Sequence, residues 1–151
     1  MIAYFELKRT VLTLALAALL STPATASEQD EDALTAAALG LVEARVSELG
    51  LRDPAINLVF GDLTGTGTAD AIAFVSHTSG GSSEMLTTWI LRQTGGTYAI
   101  GREVSNEELF GFDPRNLQFS PGRLSVTMTV PQANDPHCCP TGTRTFTIEV
   151  E

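Results

Sequence analysis

Lysine and histidine are scarce in this sequence. Lys8 is its only lysine, and its 151 residues include two histidines, two cysteines and 7% aromatic residues. A P-loop, a Schiff-base nucleophile and a lysine general base each need a lysine, which is absent after position 8. His77 lies beside the serine-rich segment 78–83, but no G-x-S-x-G elbow accompanies it, which argues against serine hydrolysis. His137 is the other neutral-pH base. We therefore predict that the protein is not an enzyme.

The first 26 residues have the layout of a secretory signal peptide. Lys8 and Arg9 form a short positive region, an apolar run covers residues 11–20, and residues 24–26 read Ala-Thr-Ala, a small-x-small cleavage site. The apolar run is shorter than the roughly 20 residues that span a bilayer, so a retained anchor is only the alternative. We predict a signal peptide over residues 1–26.

The chain that follows the signal peptide is strongly acidic. It carries seven arginines and 17 carboxylates, a net charge of 7 − 17 = −10. Phosphate backbones and anionic membrane surfaces would repel such a chain, which excludes nucleic acid as a partner. Lipidation at the cleavage site would need a cysteine, and Ser27 stands there. We predict one β-rich domain over residues 27–151, periplasmic or secreted, without a stable membrane anchor, whose partner is an unknown protein or small ligand.

One amphipathic helix is expected before the β-rich part, from Asp32 to Leu49. Its predicted buried face follows three- and four-residue spacing and consists of Leu34, Ala38, Leu41, Val42, Arg45 and Leu49. Asp30 or Asp32 is expected to cap the start, and Gly50 occupies the position of a left-handed terminator. The alanine-rich face favours close packing onto a flat sheet.

Alternating apolar residues predict strands through the rest of the chain. The runs lie at 56–60, 71–76, 85–92, 97–104, 117–120, 124–130 and 145–151. Both faces of the run at 71–76 are apolar, so this strand is expected to be central. Ser105 and Glu108 indicate one helical turn between the fourth and fifth runs. We predict an α+β fold, an antiparallel β-meander of about six or seven strands with one N-terminal helix packed on it. An all-β sandwich is the alternative.

The loop between the first two strands carries oxygen-bearing side chains at alternate positions: Asp62, Thr64, Thr66, Thr68 and Asp70. This is the spacing of an EF-hand calcium loop, with Gly67 at the sixth position, where the turn is sharp. Threonines replace the expected acids, however, and Ala73 replaces the bidentate glutamate at position twelve. We predict a turn in which Asp62 and Asp70 bond backbone amides. Weak calcium binding is the alternative, and no other cofactor is expected.

Cys138 and Cys139 are adjacent, in a loop that export would place in an oxidising compartment. Neighbouring Cα atoms lie about 3.8 Å apart, whereas disulfides usually need about 4.4–6.8 Å, so a bridge would strain the intervening peptide. We predict a vicinal disulfide. Reduced thiols, an intermolecular bridge and metal ligation together with His137 are the alternatives. Asp135 and His137 make this loop a candidate interaction surface.

Three segments carry a resemblance to known proteins: residues 61–70, 80–82 and 134–141. Together they are similar to the LppP/LprE-type lipoprotein family of small exported bacterial proteins, without the lipidation cysteine of those lipoproteins. The loop at 61–70 by itself resembles a degenerate FG-GAP/VCBS-like calcium loop. The resemblance to the lipoprotein family implies an exported, non-catalytic domain and no known reaction.

These observations favour an exported, non-enzymatic binding or protein-interaction module of unknown ligand. A periplasmic inhibitor or immunity-type protein of a secreted hydrolase is one alternative, because an acidic loop tip around Asp135 could face a basic active site. A weak calcium-binding structural protein is another.

Overall fold

The computed structural model describes residues 24–80, 84–136 and 139–150. These residues form one helix and seven strands: α1 (Ala24–Leu49), β1 (Arg52–Gly61), β2 (Asp70–Thr78), β3 (Glu84–Thr94), β4 (Thr97–Val104), β5 (Phe112–Ser120), β6 (Arg123–Val130) and β7 (Gly142–Glu149). In this part of the chain, no helix has the length and apolarity needed to cross a membrane. Most of the predicted signal peptide falls outside the described residues, so that assignment stays a prediction.

The strands divide into two antiparallel sheets, each with its strands in sequence order. Sheet A has the order β1-β2-β3-β4, and sheet B has the order β5-β6-β7. The helix packs on one face of sheet A, and sheet B packs on the other. The predicted α+β fold with an N-terminal helix on an antiparallel sheet is therefore confirmed. The difference is that the meander is interrupted once, between β4 and β5.

The helix packs through small and β-branched residues. Ala38, Val42 and Val46 are buried against Ala71, Ala73, Val75, Trp89, Leu91 and Tyr98 of sheet A. The alanines at positions 38, 71 and 73 allow this approach because they project only a methyl group. The predicted face was wrong at Leu49, which is 45% exposed. The predicted start was also wrong, since α1 begins at Ala24 and Asp30 and Asp32 lie inside it.

The helix ends in a Schellman motif. Gly50 adopts a φ of 63°, its N–H donates to Ser47 O at 3.1 Å, and the Leu51 N–H donates to Val46 O at 3.1 Å. Glycine suits this left-handed position because it has no Cβ to clash with the backbone. The expected terminator at Gly50 is therefore confirmed, and the chain turns directly into β1.

The main core lies between the two sheets. Its buried residues include Ile72, Phe74 and Ile90 from sheet A and Leu124, Val126, Met128, Phe146 and Ile148 from sheet B. Strand β2 contributes to this core with alternate residues and to the helix-facing core with the others, and residues 70–75 are all buried. This confirms that the second strand is central.

Two sets of contacts connect sheet A to sheet B. At one end, the Gly122 N–H of the β5–β6 turn donates to Leu63 O at 2.7 Å, and Leu63 is fully buried. Gly61 at the end of β1 packs so closely on the Phe119 ring that a Cβ would overlap it. Elsewhere, Arg102 of β4 reaches Glu149 O of β7 at 2.7 Å.

Glu108 holds Arg102 in place for this second contact. The guanidinium group donates to both carboxylate oxygens at 3.0 and 3.1 Å. Glu108 also accepts from the N–H and the hydroxyl of Ser105, each at 3.1 Å, and the Leu109 N–H donates to Ser105 O at 3.0 Å. The bond from Leu109 to Ser105 closes the helical turn that the sequence predicted, and the bond from the Ser105 N–H to Glu108 is one half of a capping box. Principally through Arg102, these bonds lower the pKa of Glu108 to about 2.

Candidate functional site

The loop from Asp62 to Asp70 is organised by one carboxylate. Asp62 Oδ1 accepts from the N–H groups of Thr64, Gly65 and Thr66 at 3.1, 2.7 and 3.2 Å, and Oδ2 accepts from the Gly67 N–H at 2.8 Å. The bond from the Gly67 amide does most to lower the pKa of Asp62. The threonine hydroxyls bond locally too, since Thr64 Oγ1 lies 2.6 Å from Thr66 Oγ1. Asp62 therefore serves the loop backbone.

Asp70 takes part in a different set of contacts. Its side chain is 1% exposed, its Oδ2 accepts from Arg92 Nη1 at 3.1 Å, and its Oδ1 accepts from the Gln93 N–H at 3.1 Å. Thr68, which lies between the two aspartates in the sequence, is half-buried. Within the described residues, no group of three or more His, Cys, Asp or Glu side chains could hold a metal ion. Weak calcium binding at the loop stays the alternative, and both carboxylate oxygens of Asp62 already accept backbone N–H groups.

The cysteine loop is closed by Asp135. Its Oδ2 accepts from the N–H groups of Gln132 and Thr141 at 2.8 and 2.7 Å, and its Oδ1 accepts from the Thr141 hydroxyl at 2.7 Å. The Thr141 amide is the main cause of the lowered pKa of Asp135. The carboxylate therefore joins the two ends of the loop. Its part in any interaction surface would be to fix the loop's shape.

The described part of the cysteine loop includes only one of its two thiols. His137 and Cys138 lie outside the described residues, so the vicinal disulfide and its alternatives stay predictions. Cys139 is not a free thiol, and its N–H donates to Pro136 O at 3.0 Å.

His77 is placed by the pairing of β2 with β3. It is 8% exposed, and its Nε2 lies 3.1 Å from Thr87 Oγ1. By register, His77 pairs with Met85, on the face of sheet A opposite to Phe74 and therefore away from sheet B. The ring is thus held against a neighbouring strand.

The strongest candidate site is a cleft where the two sheets separate. Edge strands β1 and β5 converge at Gly61 and Phe119, near their ends, and the cleft lies at their beginnings. On the inner face of sheet A, Val59 pairs with Ile72, Asn57 with Phe74 and Ala55 with Ser76. The β1 side chains therefore become small or polar towards the beginning of the strand. These side chains do not fill the space between the sheets, so a cavity remains.

We define the inter-sheet cleft as two adjoining depressions that share Glu84 and Phe112. The larger has a volume of about 350 Å³, and its lining includes Ala55, Asn57, Phe74, Ser76, Asp113 and Pro114. The smaller has a volume of about 170 Å³, and its lining includes Met85, Leu86, Asn106, Phe110 and Gly111. Aromatic rings, amides and carboxylates thus converge on one concave surface.

Both walls of the cleft begin with unusual backbone. Asp53 and Asp113 have φ values of 50° and 55°, each precedes a proline, and each adjoins an irregularity in strand pairing. Left-handed backbone at a non-glycine residue costs energy and tends to be found at functional sites. The Asp-Pro step at the start of each of these strands is visible in the sequence, and it could have indicated the two strand beginnings that form the cleft.

A second concave surface lies between α1 and β4. Its volume is about 510 Å³, and Leu41, Arg45, Glu48, Tyr98 and Ile100 are among its lining residues. Arg45 and Glu48 bond to each other at 2.7 Å, so its two charged groups already satisfy one another. The two depressions of the inter-sheet cleft have a similar combined volume, and their polar groups are more available to a ligand.

Comparisons of this chain with protein-family models, with curated proteins and with solved structures found no match. The similarity to LppP/LprE-type lipoproteins and to FG-GAP/VCBS-like loops therefore stays a prediction from the sequence.

Proposed function

We propose that this protein is an exported, non-enzymatic binding module that receives its partner in the inter-sheet cleft. One observation carries the proposal. Among the described residues, the exposed large hydrophobic side chains are Leu49, Met85 and Phe110, and Phe110 lines the cleft. Exposed apolar surface beside a concave site is typical of interaction surfaces.

Two further features support this function, and the predicted disulfide is part of the same proposal. The cleft has polar groups from Asn57 and Ser76 within an otherwise packed inter-sheet layer, which would allow hydrogen bonding to a partner. The net charge of −10 after signal removal argues against nucleic acid. The vicinal disulfide between Cys138 and Cys139 belongs to the proposal as a stiffener of a neighbouring loop, in keeping with a periplasmic or secreted protein.

Site-directed photo-crosslinking tests the function. A benzophenone-bearing amino acid replaces Phe110, which is 38% exposed in the cleft, or Leu49, which is 45% exposed at the end of α1 and serves as the matched control. Irradiation in cells that express and export the protein should give a discrete adduct from position 110 and none from position 49. Equal adducts from both positions, or none from position 110, would contradict the proposal.

A further inference from the structure

Building on the proposed function, we propose that the ligand is an extended segment of a partner protein that places a lysine or arginine side chain in the inter-sheet cleft. The charge of the lining is the first reason. Glu84 and Asp113 contribute carboxylates, and none of the described lining residues is Lys, Arg or His.

The two carboxylates are not equivalent. Asp113 Oδ2 already accepts from Arg115 Nη1 at 3.1 Å, which neutralises part of its charge. No described residue donates a hydrogen bond to the Glu84 side chain, and Glu84 belongs to both depressions of the cleft. Glu84 is therefore the group best placed to pair with a cation that enters.

The aromatic rings of the cleft also favour a positively charged ligand. Phe112 lines both depressions beside Glu84, and the buried Phe74 borders the larger one. The face of an aromatic ring attracts cations, and a carboxylate beside it adds Coulombic attraction, so a basic side chain can lay its methylene groups on the Phe112 ring while its charge meets Glu84. A neutral apolar side chain would gain only the first of these contributions.

The edge strand β1 indicates that the ligand is an extended polypeptide. It is the first strand of sheet A, so one of its edges has no neighbouring strand among the described residues. Ala55, Ile56 and Asn57 of β1 also line the cleft. A segment added to this edge would bond to the β1 backbone and direct alternate side chains towards sheet B. Pro54 and the bulge before Ala55 limit the open edge at its start.

Three seven-residue peptides test the ligand class. Each is acetylated and amidated, alternates threonine with valine, and carries lysine, norleucine or glutamate at the centre. Titration into the ¹⁵N-labelled protein should shift the amide signals of residues 55–57 and 84–86, with the lysine peptide binding at least about tenfold more tightly than the norleucine peptide. Glu84→Gln should remove that difference. Glu43→Gln, an exposed carboxylate of α1, is the matched control and should preserve it.

Several results would overturn the inference. These are equal binding of the lysine and norleucine peptides, absence of binding by all three at millimolar concentration, or displacement of the lysine peptide by free spermidine that leaves the β1 amide signals unchanged. The last result would assign the cleft to a small amine. If the adduct at position 110 persists while these results are obtained, the ligand class fails and the binding function stands. Loss of the adduct itself overturns the function.

Discussion

Asp62 shows how a single carboxylate can determine the conformation of a glycine-rich loop. Its two oxygens accept four backbone N–H groups within five residues, which an isolated loop of this composition would leave to water. The loop must be ordered because Leu63, the next residue, is buried and its carbonyl bonds to the β5–β6 turn. The bonds of Asp62 thus contribute to the junction between the sheets.

Asp62→Ala should lower the melting temperature, and Asp62→Asn should do so to a smaller extent because one acceptor oxygen remains. Thermal unfolding followed by the fluorescence of buried Trp89 provides the measurement. Both decreases should be the same with millimolar calcium and with chelator, since the carboxylate acts on backbone amides. If calcium raises the melting temperature of the wild-type protein and leaves Asp62→Ala unaffected, the loop is instead a metal site.

The two aspartates of this loop illustrate which contacts a sequence can predict. The bonds of Asp62 reach at most five residues along the chain, and the turn composition indicated them. Asp70 instead meets Arg92, 22 residues away, because β2 and β3 pair in one particular register. Alternating hydrophobicity predicts both strands but leaves that register open, so this partly buried ion pair could not be predicted.

At the scale of elements, glycines in and after α1 serve opposite roles. Gly40 is exposed in the middle of the helix, and a Cβ added there would meet nothing within 4 Å. Gly50 has equally open surroundings but a φ of 63°. The same substitution at the two positions therefore separates helix propensity from backbone conformation.

Gly40→Ala should raise the free energy of unfolding by about 0.5–1 kcal/mol, because alanine loses less conformational entropy in a helix. Gly50→Ala should lower it by about 1–2 kcal/mol, since an alanine would be held in left-handed backbone. Urea denaturation of both variants provides the measurement. A loss of stability in Gly40→Ala would mean that this face of α1 contacts something beyond the described residues.

The division into two sheets was contained only in the alternative prediction of a sandwich, and the sequence did not indicate where the chain changes sheet. Every predicted strand exists, and neighbouring strands in each sheet follow one another in sequence. The change of sheet occurs between β4 and β5, where Ser105 to Leu109 make a helical turn. That turn was predicted, but a turn can end a hairpin or carry the chain to a second layer. Which of these two outcomes occurs depends on long-range packing. The existence of the cleft depends on the same packing, so neither could be predicted from the local sequence.

For the whole molecule, the positions of the contacts between sheets A and B determine where a binding site can exist. Leu63, Phe119 and Gly122 close the sandwich at the ends of β1 and β5, and Arg102 connects β4 to β7. The beginnings of β1 and β5 lack such contacts among the described residues and form the cleft. The two sheets are thus joined at one end and separated at the other. Exposed apolar groups, carboxylates and a strand edge occur together at the separated end.

The contacts of Arg102 with Glu108 and Glu149 make the stability of the fold depend on pH in a predictable direction. The pKa of Glu108 is lowered from 4.5 to about 2 in the folded protein, mainly by Arg102. A lowered pKa means that the ionised group favours folding. Its contribution is complete above about pH 4.5 and is lost as the pH falls through about 2. Because the side chain is 40% exposed, solvent screening reduces its size.

Glu108→Gln should therefore lower stability at neutral pH and weaken the dependence of stability on pH between about 4.5 and 2. The wild-type protein should take up as much as about one more proton than this variant when it unfolds in that range. Urea denaturation at several pH values measures both effects. Glu107→Gln removes the same charge from the neighbouring, exposed position and should retain the wild-type pH dependence. If the free energy of unfolding depends equally on pH in the wild type and in Glu108→Gln, Arg102 connects the sheets only through its bond to Glu149 O.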